Sequence, residues 1–385
     1  MSDNVRKAVT LLLVLVLIAG IFVLVVRYTP RPTSEGVDLV GEAWEYVFDH
    51  FVDRDGLDPD EVSEGAIRGM IEALDDPWSL YFDAEDYQLI QSGLEGKFGG
   101  IGAVVSVVDG QITISKPIAG GPAEKAGIVV GDQVLEVDGE STEGLSLDQV
   151  VAKMRGDEGT EVRLLILHPD AEEPVEIVVT RDVIQVDTVE VEMLDDDVAR
   201  IEVSRFTSRT ATELESALES VLGNGTKGLV LDLRDNPGGV LDVAVSVTSQ
   251  FLDDGIVLYS LDGEGNRKDY SVRDGGLALD IPLVVLVNGG SASASEIVAG
   301  ALQNHERAVL IGEVTRGKGS VNADFRLSDG SAIRLTIQRW YTPDGREIEG
   351  IGLTPDIAVE LTQEDREQGR DPQLERALEE VRGLL

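Results

Sequence analysis

Three serines, Ser291, Ser293 and Ser295, alternate with alanines directly after the pair Gly289-Gly290, and the stretch runs into an apolar helical pattern, "NGGSASASEIVAGALQNH". A serine at a strand-to-helix junction is exposed, lies at the positive end of a helix dipole, and has free backbone N–H groups beside it. That is a setting for a nucleophile with an oxyanion site. It is equally a setting for a helix cap, because Ser293 and Glu296 have the spacing of a capping box. A nucleophilic serine needs a base. The chain has three histidines, His50, His168 and His305, and His305 falls twelve residues beyond Ser293, about 18 Å along a helix. A Ser-His-Asp triad therefore has no good candidate. Lysine serves as a base when burial lowers its pKa, and Lys318 stands between glycines in "TRGKGSVN" after the next strand. A surface lysine in a glycine-rich turn is the alternative. "LVLDLRDNPGGVLDVAV" (229–245) places Pro237-Gly238-Gly239 between a buried strand and a helix. It reads as the second half of an oxyanion hole or as a plain turn.

A second kind of chemistry is binding. "KFGGIGAVV" (97–105) is a glycine-rich loop leading into an apolar strand. Such a loop receives a peptide carboxylate on its N–H groups while the strand edge pairs with the peptide. It lacks G-K-[ST] and no helix follows directly, so a nucleotide site is not indicated.

These residues need a scaffold, and 385 residues suffice for two or three cores. The run 8–26 carries no charge and is long enough to cross a bilayer. Arg6 and Lys7 precede it, and Arg27 and Arg31 follow it. The sequence predicts a single-pass anchor at the cell membrane, uncleaved, with the body outside the cytoplasm. Residues 28–93 read as a linker and helices. "DLVGEAWEYVFDHFV" carries an apolar helical face through Val40, Trp44, Val47, Phe48 and Phe51, and "DDPWSLYF" ends the region in a proline turn. Residues 94–183 are short β-rich runs with one or two helices, the size of a compact module. From 184 to 362, continuous apolar strands such as "GLVLDLR" and "IPLVVLVN" alternate with helices, which predicts an α/β layered core. Residues 363–385 form an acidic amphipathic helix.

The net charge of −40 argues against nucleic acid as a partner. The absence of cysteine excludes disulfides, thiol nucleophiles and thiolate metal sites, and the histidine spacing excludes the common zinc motifs. No metal and no cofactor is implied.

Taken together, "GMIEALDDPWSLYF", "GKFGGIGAVV", "GPAEKAGIVVGDQVLEVDG", "GLVLDLRDNPGGVLDVAV", "NGGSASASEIVAGAL", "GEVTRGKGSV" and "YTPDGREIEGIGLTPDI" resemble, in order, the carboxy-terminal processing (tail-specific) serine peptidase family. The resemblance covers nearly all of the chain after the apolar run. With the apolar run read as a transmembrane helix (1–27), it implies a multidomain α/β protein: a helical segment (28–93), an α+β PDZ domain (94–183), an α/β protease core of the ClpP/crotonase-like layered type (184–362) and a C-terminal helix. It implies a serine endopeptidase acting on proteins or peptides with exposed C-terminal tails; a homodimer is compatible with it. It places the nucleophile at Ser293, the base at Lys318, and the oxyanion donors at Ala294 and at Gly238 or Gly239. The tail's carboxylate falls to Gly99, Gly100, Ile101 and Gly102, with Val150 and Met154 lining a side-chain pocket. Where the family commonly has a glutamine that orients the lysine, this chain has Asn322. That departure motivates an alternative reading, a catalytically impaired PDZ adaptor that binds peptides.

Overall fold

The computed structural model describes residues 35–385 apart from 109, 170 and 172. The apolar run 8–26, with the anchor expected there, lies outside these residues. Among the described residues no helix is long and apolar enough to cross a membrane. The described residues divide into two units at the boundary between Gly69 and Met70.

In the first unit, α1 (Glu35–His50) packs Trp44 against Phe48 one turn later, the rings tilted by 35° with centroids 4.7 Å apart, as its apolar spacing predicts. Helix α2 (Pro59–Glu72) opens with proline and two acidic residues, a first turn suited to the dipole.

The second unit starts with a surprise for the sequence reading. "DDPWSLYF" is more than a turn, because Leu80–Phe82 is a strand, β1. Three residues are too few to show a period, and β1 exists only through its partner β18 (Ala332–Tyr341), with Leu80 opposite Arg334. Helix α3 (Ala84–Leu94) follows, its first turn capped by Asp83, whose carboxylate accepts the Asp86 N–H.

The next module comprises β2 (Lys97–Gly100), β3 (Ala103–Val108), β4 (Gln111–Pro117), α4 (Pro122–Lys125), β5 (Gln133–Val137), β6 (Glu140–Ser141), α5 (Leu147–Met154), β7 (Glu161–Leu167), β8 (Val175–Thr180) and β9 (Asp182–Gln185). Its main sheet runs β3-β4-β5-β7-β8 with β6 beside β5, and β2 pairs with β9 where the chain enters and leaves. Ile114, Val134, Val150, Val162, Leu164 and Ile166 fill a core of its own.

The core that follows is built from β10 (Val189–Met193), β11 (Val198–Val203), α6 (Thr210–Gly223), β12 (Gly228–Asp232), α7 (Leu241–Thr248), β13 (Ile256–Asp262), β14 (Arg267–Ser271), β15 (Leu283–Val287), α8 (Ala294–Asn304), β16 (Val309–Gly312), β17 (Ser320–Arg326), β18, β19 (Ile357–Ala358), α9 (Gln363–Glu367) and α10 (Pro372–Leu384). The first sheet is ordered β10-β11-β12-β15-β16-β19 and is parallel from β11 onward. Both faces are covered, which is why its strands read as unbroken apolar runs. Leu229, Leu231, Val285 and Val287 pack with residues of α6, α7 and α8. The alternate residues Val230, Val284 and Leu286 pack against Ala377 and Val381 of α10. The C-terminal helix is therefore a layer of the core. A Cβ on Gly228 would sit 2.3 Å from Val381 Cγ1, so glycine is what lets the helix approach. A second sheet has the order β1-β18-β13-β14 with β17 on β18.

Candidate active site

The parallel sheet delivers β12 and β15 side by side, so the loops after them meet at the carboxyl end of the sheet, where ligands bind in open α/β folds. Ser293 occupies the N-cap position of α8 with φ 53° and ψ −110°, a backbone conformation costly for any residue with a Cβ. Its neighbours hold it there. Ser291 Oγ donates to the Leu233 carbonyl at 2.7 Å and accepts the Asn288 N–H at 3.0 Å. Ser295 Oγ donates to the Asn236 carbonyl at 2.9 Å, which also takes the Ala292 N–H at 3.0 Å. The outer serines, both buried, thus tie the turn to the loop after β12. The middle one lines a cavity of about 880 Å³.

The Gly-Gly pair meets this turn. A Cβ on Gly238 would lie 2.6 Å from the Ala292 carbonyl, and one on Gly239 would lie 2.0 Å from the Phe206 carbonyl. Both also have positive φ, 96° and 150°, so only glycine suits either position. The two differ as donors. Gly238 N–H is already given to Asn236 Oδ1 at 2.9 Å, whereas the N–H groups of Gly239 and Ala294 go to no other described group. Asn236, fully buried, also donates to the Val203 carbonyl at 2.6 Å. Its role has little trace in the sequence, an asparagine just before Pro-Gly-Gly.

Lys318 is fixed by its backbone. Its N–H reaches Glu296 Oε2 at 2.9 Å, and its carbonyl accepts Trp340 Nε1–H at 2.9 Å. Its flanking glycines are needed because residues 348–352 run against the loop. A Cβ on Gly317 would lie 2.8 Å from Gly352 N, and one on Gly319 2.6 Å from Glu349 N. Glu296 joins the two halves of the site. Fully buried, its carboxylate accepts the N–H of Ser293 at 2.8 Å, of Lys318 at 2.9 Å and of Gly317 at 2.7 Å, and the Thr315 hydroxyl at 2.5 Å. Four donors on one carboxylate repay its burial. The sequence shows only the local contact, Ser293 with Glu296, because the other three donors lie about twenty residues on.

The side chain of Lys318 is half-buried and its Nζ stands 4.7 Å from the centroid of the Trp78 ring. Burial, helped by the Arg334 charge, lowers its pKa from the ordinary lysine value, against the pull of Glu349, Asp76 and Glu296. Among the described contacts no hydrogen bond joins Ser293 Oγ to Lys318 Nζ. Asn322 is expected to orient the lysine, and here the structure departs from the reading. Its amide N–H groups go to the Trp78 carbonyl at 3.2 Å and Thr336 Oγ1 at 3.1 Å, and its oxygen accepts from Ser320 at 3.3 Å. Asparagine, one methylene shorter than glutamine, instead steadies the tryptophan on which the lysine rests. Glu349 completes that support, taking Trp78 Nε1–H at 2.7 Å and Gly319 N–H at 2.8 Å.

Neither histidine of the second unit competes for the role of base. His305 Nε2 donates to the Ile256 carbonyl at 2.8 Å, and His168 Nδ1 pairs with Asp132 at 2.6 Å.

In the β-rich module, Gly99 is pressed against the Gly156 carbonyl, 2.1 Å from where a Cβ would be, and Gly102 has φ 71°. Gly100 ends β2 opposite Asp182. The N–H groups of Ile101 and Gly102 go to no other described group, and β3 beyond them is the sheet's edge strand. Val150 and Met154, expected to line a pocket, are buried in the module's core, 0% and 4% exposed. They belong to packing here, because the apolar face of α5 is what closes that core.

Comparison with known proteins agrees with this layout. Residues 197–359 match Peptidase family S41, residues 113–167 match a PDZ domain, and residues 28–86 match the activating protease CtpB N-terminal domain. The carboxy-terminal processing protease CtpA of Bacillus subtilis is 38% identical over 324 residues, covering 84% of this chain and 69% of that one. The carboxy-terminal-processing protease of Bartonella bacilliformis is 40% identical over 333 residues, covering 85% and 76%. Among solved structures, the photosystem II D1 C-terminal processing protease superposes with a TM-score of 0.51 at 30% identity, over 85% of this chain and 94% of that one.

Proposed function

The chain belongs to peptidase family S41 as a carboxy-terminal processing serine-type peptidase with a PDZ domain, and on that premise we propose that Ser293 and Lys318 are its catalytic dyad. The observation that carries this reading is the Glu296 carboxylate, which accepts a backbone N–H from each of the two residues while both side chains line one cavity. Neutral Lys318, favoured by its lowered pKa, leaves the Trp78 face and takes the Ser293 proton as Oγ attacks the substrate carbonyl. The N–H groups of Gly239 and Ala294 receive the oxyanion. Lys318 then protonates the departing amine, and water hydrolyses the acyl-enzyme.

The N–H groups of Ile101 and Gly102, with the free edge of β3, suit an extended tail ending in a carboxylate. The substrates proposed are unfolded proteins with exposed C-terminal tails. The uncharged run 8–26, long enough to cross a bilayer, supports a membrane tether. The test is cleavage of a tailed, unfolded protein. Ser293→Ala and Lys318→Ala each abolish turnover if the dyad is right, and full activity in either variant removes it.

A further inference from the structure

Four cationic side chains line the cavity, Arg155, Arg205, Lys318 and Arg334, against the single carboxylate of Asp324. The rest of the molecule is strongly acidic, with a net charge of −40 for the chain, so the cleft is a local reversal of sign. The four cations are not equivalent. Arg334 is held by Asp324 through two bonds of 2.7 and 2.9 Å. Lys318 rests on Trp78, and Arg155 is engaged within the protein. The exposed Arg205 guanidinium alone has no carboxylate, hydrogen-bond acceptor or ring partner among the described residues.

Its position is set by the next residue. Phe206 N–H donates to the Gly238 carbonyl at 3.0 Å, and the Phe206 carbonyl accepts the Val240 N–H at 2.8 Å. Gly238 in turn abuts the nucleophile, since a Cβ on it would stand 2.9 Å from Ser293 Cβ. Arg205 therefore leaves the backbone immediately beside the loop that cradles the reacting carbonyl. An exposed arginine is ordinarily only solvated. Here it lines a concave site, and every other cation there is already engaged.

We propose that Arg205 is a specificity-determining residue that pairs with a carboxylate of the substrate close to the scissile bond. This rests on the reading of Ser293 as the nucleophile. The carboxylate proposed is that of an acidic side chain within a few residues of the cut; pairing with the C-terminal carboxylate of the tail is the competing outcome that would overturn this. Planar, two-pronged recognition by a guanidinium distinguishes Asp or Glu from Gln and rejects Lys. The long-range repulsion of an acidic chain for an acidic substrate is screened by salt, while the short contact in the cleft is less so. Selection for acidic residues should therefore persist at physiological ionic strength.

The experiment uses the full chain and peptides that carry Glu, Gln or Lys at each of three positions on either side of the cut, each with a free or an amidated C-terminus. Wild type is expected to cleave the Glu peptide roughly 10-fold faster in kcat/KM than the Lys peptide at one of these positions. Arg205→Glu is expected to invert that preference, and a gain on the Lys peptide cannot arise from misfolding. The proposal is overturned if the Glu-to-Lys ratio at every position is the same in both proteins, or if the dependence on Arg205 vanishes on amidation and so belongs to the terminal carboxylate. Loss of all Ser293-dependent cleavage, including that of the Gln peptide by wild type, would instead strike the functional reading.

Discussion

The two glycine pairs of this molecule, Gly99-Gly100 and Gly238-Gly239, look alike in the sequence and differ in what presses on them. Gly99 is crowded by the carbonyl of Gly156, a neighbouring loop of its own module. The N–H groups of Ile101 and Gly102 beyond the pair go to no other described group and lead into the edge strand β3. Gly238 and Gly239 are crowded by the turn that carries Ser293 and by Phe206, and one of their two N–H groups is already taken by Asn236. Both loops offer N–H groups to an anion. The first is built on a module whose core is separate. The second is welded between two loops of the main core. The two loops differ in their surroundings rather than in their glycines, and under the proposed function the first recruits and the second catalyses. The first should control which substrates are held, and the second whether any bond is broken.

The comparison can be broken most severely at Gly239. Its alanine variant would place a methyl 2.0 Å from a carbonyl oxygen and displace the proposed oxyanion donor. We expect kcat to fall roughly 10²- to 10³-fold on every substrate, tailed or not; a loss confined to tailed substrates would mean the two loops do not divide the work. Glu296→Gln comes next. It replaces one accepting oxygen by an NH2 donor that faces N–H donors, so kcat should fall by about 10²-fold and stability by about 2 kcal/mol, measured by steady-state kinetics and urea unfolding. A change in KM alone would contradict a positioning role. Gly102→Ala acts on the other loop, where φ is 71° and Ile184 Cδ1 lies 2.9 Å from the new methyl. It should raise KM about 10-fold for peptides with a free C-terminus and leave amidated peptides unaffected. The smallest effect is on pH. Arg334 helps hold the Lys318 pKa down, so Arg334→Gln should raise it and move the acid limb of the kcat/KM profile to higher pH. A shift to lower pH would show that another group is the base.

Much of this was legible in the residues. The unbroken apolar strands announced a sheet covered on both faces, and the twelve-residue spacing of His305 from Ser293 corresponds to the two ends of α8. The flanks of Lys318 were readable as a tight loop, although the reason, the close run of residues 348–352, was not. Contacts made across the fold left no local trace. Glu296 looks like a capping residue because only one of its four donors is nearby in the chain. Trp78 lies far in sequence from the Lys318 side chain it supports, and Asn322 serves that tryptophan rather than the lysine. Strand β1 was invisible because a three-residue edge strand has no pattern apart from its partner. Val150 and Met154 show the converse: their apolar spacing on α5 was legible, and burial rather than a pocket is what it encodes.

The most direct test of the account is the identity of the residue modified by a serine-reactive fluorophosphonate, mapped by mass spectrometry on the wild type and on Lys318→Ala. The account predicts modification at Ser293, slowed at least ~10²-fold in the lysine variant, where the base is lost. Modification at Ser291 or Ser295, or a rate indifferent to Lys318, would contradict it.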